Sequence, residues 1–470
     1  MGQPSGLPQK MDSSKQIAVE TRAASSSSAG LVKEHKQATQ IAALAVRVSL
    51  VAIFAVAAYF AVRRGVAAWY FSQNDPHDVE LAVKWDPQNP QYADALAHIV
   101  QFYSANPDPN RSVQLCETAT RLSPNEAHYW ADLGSAYDRA GRPKDAIRAF
   151  ETARRLFPNS PDINWRLANF YVRTNRAREA LPLLKNVLQA GGVDDQQVFA
   201  LVSGAGIEPS EAAAEIFPAR GGVFVDYLNF ELASGNLQGA GKAWNSLLKS
   251  GLPFRATDAF PYVDALIQNR EPDAASEVWR EVSDRFPAEM RGRTTRQNLV
   301  TNGDFDFPIL NGGFDWRVIP TAGATVRVDA AERPRSSGLL RIDFDGTQNL
   351  DYGAVFQFIR VRPRTRYEFS ADTRLDRITT DSGPRFQIFD ESNLKKLPVT
   401  TLNQVGSSDW SRVRVSFETG ANTHLLVLRI ARPPSSKFDN KISGTLWVRQ
   451  VALVEQGMLQ DADQALKSGR

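Results

Sequence analysis

The sequence predicts a multidomain chain: a single transmembrane helix, then an all-α solenoid of helical repeats, then an all-β sandwich. Three observations predict it. Residues 41–62 form an apolar run of membrane-spanning length, and residues 127–158 carry two apolar helical faces joined by a glycine turn. Beyond residue 297 the apolar spacing changes from a helical period to alternation. A chain of 470 residues is also too long for one ordinary domain. The net charge is +3, from 55 Lys+Arg against 52 Asp+Glu, so no nucleic-acid partner is expected. Cys116 is the single cysteine, which rules out an intrachain disulfide and leaves the redox compartment open.

The span is IAALAVRVSLVAIFAVAAYFAV, 22 residues with one charge. At ~1.5 Å per residue it reaches about 33 Å, against ~30 Å of hydrocarbon. Its eleven Leu, Ile, Val and Phe residues each favour insertion by roughly 0.3 to 0.6 kcal/mol. Arg47 opposes insertion by at most about 3 kcal/mol and lies near one end, where it can snorkel. Insertion wins, and membrane contact is assigned to residues 41–62. Arg22, Lys33 and Lys36 precede the span while Arg63 and Arg64 follow it, which favours a cytoplasmic N-terminus. Residues 1–40 read as a disordered cytoplasmic tail, and 63–89 as a juxtamembrane helix with a half repeat, ELAVKWDP supplying a lone second helix. The bulk of the chain is then periplasmic, beyond an inner membrane crossed once.

In AHYWADLGSAYDRAGRPKDAIRAFETARRLFP, Trp130, Leu133, Gly134 and Tyr137 share one helical face. Gly141 makes the turn, Ala146, Phe150 and Ala153 face back from a second helix, and Pro158 ends it. This spacing resembles the tetratricopeptide repeat. Pro124 lies 34 residues before Pro158 and Ala119 lies 34 before Ala153, so the period extends to the neighbours. Residues 90–290 are assigned to about five full or partial repeats, with a degraded one at 195–219 whose first helix is short and whose hairpin loop is long. Such units stack because none can bury its apolar face alone, and the resemblance implies a protein partner. Cys116 takes a small core position in this scheme.

After RGRTTRQ (291–297), the runs YEFSADTR, RVRVSFE, HLLVLRIA and TLWVRQVALV read as strands separated by polar turns, an antiparallel sandwich over 297–456. A tail of 457–470 follows. NLVTNGDFD with Trp316, then VFQFIRVRPRTRYEFSADTR, DWSRVRVSFETG and GTLWVRQVAL, resemble in their order the jelly-roll, galactose-binding-like carbohydrate-binding modules. That resemblance covers 298–454 and implies glycan binding on a sheet face or at loop tips. It also implies a structural calcium near the first acidic turn, where Asp304 and Asp306 are read either as calcium ligands or as ordinary turn residues. Arg449 and Gln450 stand where the family often has Asp or Asn, a departure that counts against calcium.

Sugar recognition needs aromatic faces against C–H surfaces and planar polar groups for paired hydroxyls. Tyr352, Gln357, Arg374, Gln387 and Arg429 are the candidate glycan-binding residues, with Gln357 alternatively a satisfied buried amide. Arg360, Arg362, Arg364 and Arg366 would form a cationic stripe if RVRPRTR were extended. The five histidines are scattered without metal-ligand spacing, and no phosphate loop or nucleophile elbow is present. The expectation is a non-enzymatic adaptor needing no cofactor beyond that calcium, with a protein on its repeats and an envelope or exported polysaccharide on its sandwich. Parts of this kind resemble accessory proteins of exopolysaccharide or O-antigen assembly. The alternative is a scaffold of an envelope or secretion complex whose sandwich docks protein.

Overall fold

Between Ser13 and Ser72 no proline interrupts the chain, and the whole stretch is one helix of 60 residues, α1 (Ser13–Ser72). The computed structural model describes residues 13–104, 106–290, 293, 297–329, 338–393 and 398–456. Residues 1–12, the tail at 457–470 and most of RGRTTRQ lie outside them. Residues 13–40, expected to be disordered, instead continue the helix. Among the described residues, one helix segment is long and apolar enough to cross a membrane, His35–Ser72.

The chain divides into two compact units, residues 1–170 and 171–470. In the first, the end of α1 turns into the repeats. Ala67 is buried against Ala82 of α2 (Pro76–Trp85) and Tyr92 of α3 (Pro90–Phe102), with Tyr70 and Phe71 packed alongside. ELAVKWDP is therefore not a lone second helix: the last turns of α1 are its partner. The helix starts are written in the sequence. Asp75, Asn89 and Asp108 each cap a helix by accepting a backbone N–H, and each is followed by a proline at the first helical position, the last opening α4 (Pro109–Leu122). Next come α5 (Ala127–Arg139), α6 (Pro143–Leu156) and α7 (Pro161–Arg173). A Cβ on Gly134 of α5 would lie 2.8 Å from the Phe150 ring of α6, so the small residue sets how closely the hairpin closes. Cys116 is buried as expected, and burial pushes its thiol pKa up.

The second unit contains α8 (Ala177–Ala190), α9 (Asp195–Gly204), α10 (Pro209–Glu215), α11 (Gly221–Ala233), α12 (Leu237–Ser250), α13 (Phe260–Gln268), α14 (Pro272–Arg285) and the single turn α15 (Pro287–Met290). In the degraded repeat both helices are short, α9 with 10 residues and α10 with 7, and the connection between them is brief. Aromatic rings take up the volume there: Phe199, Phe217 and Tyr227 meet at 5.0–5.8 Å between centroids.

Among the described residues the sandwich has ten strands: β1 (Arg317–Val318), β2 (Ala324–Asp329), β3 (Leu339–Asp345), β4 (Tyr352–Arg360), β5 (Arg366–Ile378), β6 (Arg385–Asp390), β7 (Val399–Thr400), β8 (Gly406–Glu418), β9 (Leu425–Arg432) and β10 (Ser443–Glu455). They form two five-stranded antiparallel sheets, β1-β4-β9-β6-β7 (the first sheet) and β2-β3-β10-β5-β8 (the second). From β3 onward the chain crosses between sheets at every step except the β6–β7 hairpin, the alternation expected of a jelly roll. Val355, Phe386, Leu428 and Ile430 of the first sheet and Leu340, Ile342, Phe369 and Val448 of the second fill the core between them.

NLVTNGDFDFPILNGGFDW (298–316) is where the repeats and the sandwich join. Its start clings to β10: the Asn298 amide donates to the Val451 carbonyl at 2.9 Å and accepts from the Leu453 N–H at 3.0 Å. Its end seats on the last hairpin. Gly313, at φ +55°, lies so close to Trp279 of α14 that a Cβ would come within 2.1 Å, and its N–H donates to Asp264 of α13 at 2.9 Å. Asp315 and Arg293 are both buried and pair at 3.0 Å, while the N–H groups of Leu310 and Trp316 also donate to that carboxylate. Burial nevertheless lifts the Asp315 carboxyl to about 6 against those donors and the Arg293 charge. Arg317 bonds Asp264 and Arg360 bonds Asp273, extending the seam onto β1 and β4.

Candidate functional site

Alternation along the strands of the first sheet sends Val355, Gln357 and Ile359 inward and Phe356, Phe358 and Arg360 outward. Register then lines up Arg317, Phe356, Arg429, Gln387 and Thr400 across all five strands of its outer face. The Gln387 side-chain oxygen accepts from Nε and Nη2 of Arg429 at 2.9 and 2.7 Å, which fixes both planar groups. Arg429 lies over the Phe389 ring at 4.4 Å, and Arg317 over Phe358 at 4.8 Å. Gly353 leaves the space Arg429 occupies, since a Cβ there would sit 3.3 Å from its Nη1. The result is a face of half-buried rings interleaved with oriented polar planes, bordered on the β1–β4 side by the seam to α13 and α14.

Two of the five expected glycan residues, Gln387 and Arg429, meet on this face; the other three lie elsewhere. Tyr352 is buried, its ring edge-on to Phe344 at 5.5 Å, because a bulge after it turns it into the core. Gln357 is fully buried: it accepts from the Thr301 N–H at 3.0 Å and donates to the Thr301 carbonyl at 2.8 Å, the satisfied buried amide of the two readings. Arg374 belongs to the second sheet, over Trp447 at 4.8 Å. Asp306 accepts from the Gly338 N–H at 3.0 Å, 32 residues away, a long-range tie rather than a bond within its own turn. Asp304 is exposed beside it, and neither falls in the acidic-histidine group found among the described residues. The arginine stripe also dissolves. Arg364 adopts φ +50° at the β4–β5 turn, and Arg360, Arg362 and Arg366 pair separately with Asp273, Glu455 and Glu418. Sequence reasoning missed Phe356, Phe358 and Phe389, although alternating VFQFIR carried the signal for two of them.

The histidines are not all isolated. Nε2 of His98 (α3) lies 3.1 Å from Asp132 (α5) and 4.0 Å from Asp94, and Arg166 (α7) pairs with the same Asp132 oxygen at 2.5 Å. Ligand atoms of Asp94, His98 and Asp132 all lie within 4.8 Å of one another. His98, Asp132 and Arg166 are each 34 residues apart, one repeat, which is the spacing that could have revealed them. Burial, then the Asp132 charge, lifts the Asp94 carboxyl to about 7. The hydrogen bond to Asp132 raises His98. Burial opposes the charge on Asp132, but His98 and Arg166 together hold its pKa below the usual value. With Arg166 already balancing Asp132, the group acts as a polar clasp between successive hairpins.

The tetratricopeptide repeat family matches residues 139–203, in agreement with the helical hairpins there. No curated protein matches the chain. Among solved structures, one described as CBM4 structure and function is 15% identical, with a TM-score of 0.25, covering 33% of this chain and 99% of its own. The type IV pilus biogenesis factor PilW is 17% identical, with a TM-score of 0.26, covering 48% and 94%. PilF of Pseudomonas aeruginosa is 14% identical, with a TM-score of 0.25, covering 42% and 94%. At these TM-scores the likenesses carry no argument about function.

Proposed function

We propose that the chain is a non-enzymatic, membrane-anchored adaptor: α1 holds it in an inner membrane, the repeats hold a partner protein, and the sandwich holds a polysaccharide. The observation that carries the glycan part is the outer face of the first sheet, where the hydrogen-bonded Gln387–Arg429 pair lies among Phe356, Phe358 and Phe389. Rings that take C–H surfaces beside a few fixed polar groups are the composition of a small-ligand site. A cytoplasmic N-terminus, from the charge bias around 41–62, puts repeats and sandwich in the periplasm, where the polymer would be an exopolysaccharide or O-antigen chain under assembly.

The seam at Gly312–Arg317 favours a second reading, because it already uses the sandwich to hold protein. On that reading the chain is a scaffold whose sandwich docks protein throughout. Affinity electrophoresis of the detergent-solubilised full chain through gels containing neutral and acidic polysaccharides decides between them. Retardation that falls about tenfold in Gln387→Ala/Arg429→Ala supports the glycan site. Absence of retardation in every gel, with a protein captured on the sandwich, replaces the adaptor with the scaffold.

A further inference from the structure

The outer face of the second sheet is built differently. Register places Arg327, Arg341, Trp447 and Arg374 in one row across β2, β3, β10 and β5. The Trp447 ring holds Arg374 at 4.8 Å and Arg341 at 5.6 Å, and Trp410 of β8 holds Arg449 at 4.0 Å. Guanidinium groups resting on indoles are pre-oriented, with N–H edges left for an incoming anion. Carboxylates on this part of the face are outnumbered. Asp343 is shared by Arg327 and Arg341, and Asp372 by Arg412 and Arg449, while Arg374 makes no ion pair among the described residues. Five arginines therefore stand against three aspartates, the third being Asp376, two residues along β5 from Arg374 and paired with Arg377.

We infer that this face is a second binding surface, taking an acidic polysaccharide whose carboxylates are spaced along the chain. The inference rests on the polysaccharide reading above and adds the polymer's charge and a separate place for it. Arg341 and Arg374 are two strand spacings apart, about 9.6 Å, comparable to the length of a disaccharide. Asp343 and Asp372 interrupt the arginines, so the face suits spaced charges better than the continuous phosphates of a nucleic acid. Trp447 and Trp410 are half-buried beneath guanidiniums and offer no apolar wedge to a lipid surface.

The test is biolayer interferometry of the detergent-solubilised full chain on immobilised polygalacturonate and on dextran, across a salt series. Wild type should bind polygalacturonate, more weakly as salt rises. Arg341→Gln/Arg374→Gln should lose at least about tenfold in that affinity with a shallower salt dependence, and dextran binding should not change. The single exposed change Arg374→Glu, which leaves the core untouched, should act in the same direction. Unchanged polygalacturonate binding in both variants overturns the inference. Binding lost only in the Gln387/Arg429 variant also overturns it while leaving the glycan adaptor standing. If wild type binds neither polymer, the inference falls, and the adaptor falls with it only if every gel of the electrophoresis series is also negative; binding of anionic vesicles or single-stranded DNA alone at this face likewise rejects the inference.

Discussion

The α5–α6 hairpin and the seam at 298–317 are both closed by a glycine under an aromatic ring, yet only the first could be read from sequence. Gly134 meets Phe150 sixteen positions away, within one repeat, and the repeat's period names both partners. Gly313 meets Trp279 and bonds Asp264, partners in a different structural class that no period connects to it. A repeat stack is legible because each contact is nearly local. A junction between an all-α and an all-β part has no such rule.

The comparison can be pressed first by deletion. Phe150→Ala should cost about 3–5 kcal/mol as a core truncation, with hydrogen-exchange protection lost around α5 and α6. Asp315→Ala should cost a similar amount, about 3–5 kcal/mol, by stranding the buried Arg293. Its loss should spread to both α13–α14 and the strands, since the pair lies between them. Protection lost in the strands alone would mean that the seam does not couple the two parts.

Smaller effects come from adding a methyl group. Gly313→Ala meets Trp279 at 2.1 Å and must keep φ +55°, so destabilisation of up to about 3 kcal/mol is expected by urea denaturation. Gly134→Ala has no such backbone demand, but its Cβ would press on Cγ, Cδ1 and Cε1 of the buried Phe150 at 2.8–2.9 Å, so about 1–2 kcal/mol is expected. Equal costs would show that the seam yields as readily as a repeat.

The smallest effect is pH-linked. Asp94, at about 7, and His98, raised by Asp132, both bind protons more tightly folded than unfolded. Their stabilisation is fully present below the unfolded values and is lost as pH rises, through about 7 for Asp94 and above the ordinary 6.5 for His98. Asp132 runs the other way: its contribution is present at neutral pH and is lost on acidification through its lowered value, below 3.8. Exchange protection of α3 and α5 should therefore fall by about 1 kcal/mol between pH 5.5 and 8.5, discounted for the partly solvated edge of the clasp. Asp94→Asn should flatten that slope, because it removes the carboxyl that burial lifts and one of the charges that raise His98; an unchanged slope would mean that the clasp does not titrate in this range.

Of the candidate site, the sequence identified Gln387 and Arg429 but could not separate them from Tyr352, Gln357 and Arg374. Gln357, Arg374, Gln387 and Arg429 lie within strand-like runs and Tyr352 just before one, and alternation tells two faces apart without saying which faces the core. A bulge after Tyr352, the Thr301 backbone opposite Gln357 and the assignment of β5 to the second sheet decided those three. The arginines of RVRPRTR failed as a stripe for a related reason: only the fold showed that the backbone turns at Arg364 and where Asp273, Glu455 and Glu418 would draw the side chains.

By itself the sequence determined the order of parts: an apolar helix, helical hairpins at a 34-residue period, and alternating strands. Each is set by the spacing of neighbouring side chains, which is local information. Only the tertiary structure decided which sheet each strand joins, which face each side chain takes, and that NLVTNGDFDFPILNGGFDW fastens the sandwich to the last hairpin. Those outcomes depend on partners roughly fifty to more than one hundred and fifty residues away, brought together by burial that no local pattern encodes.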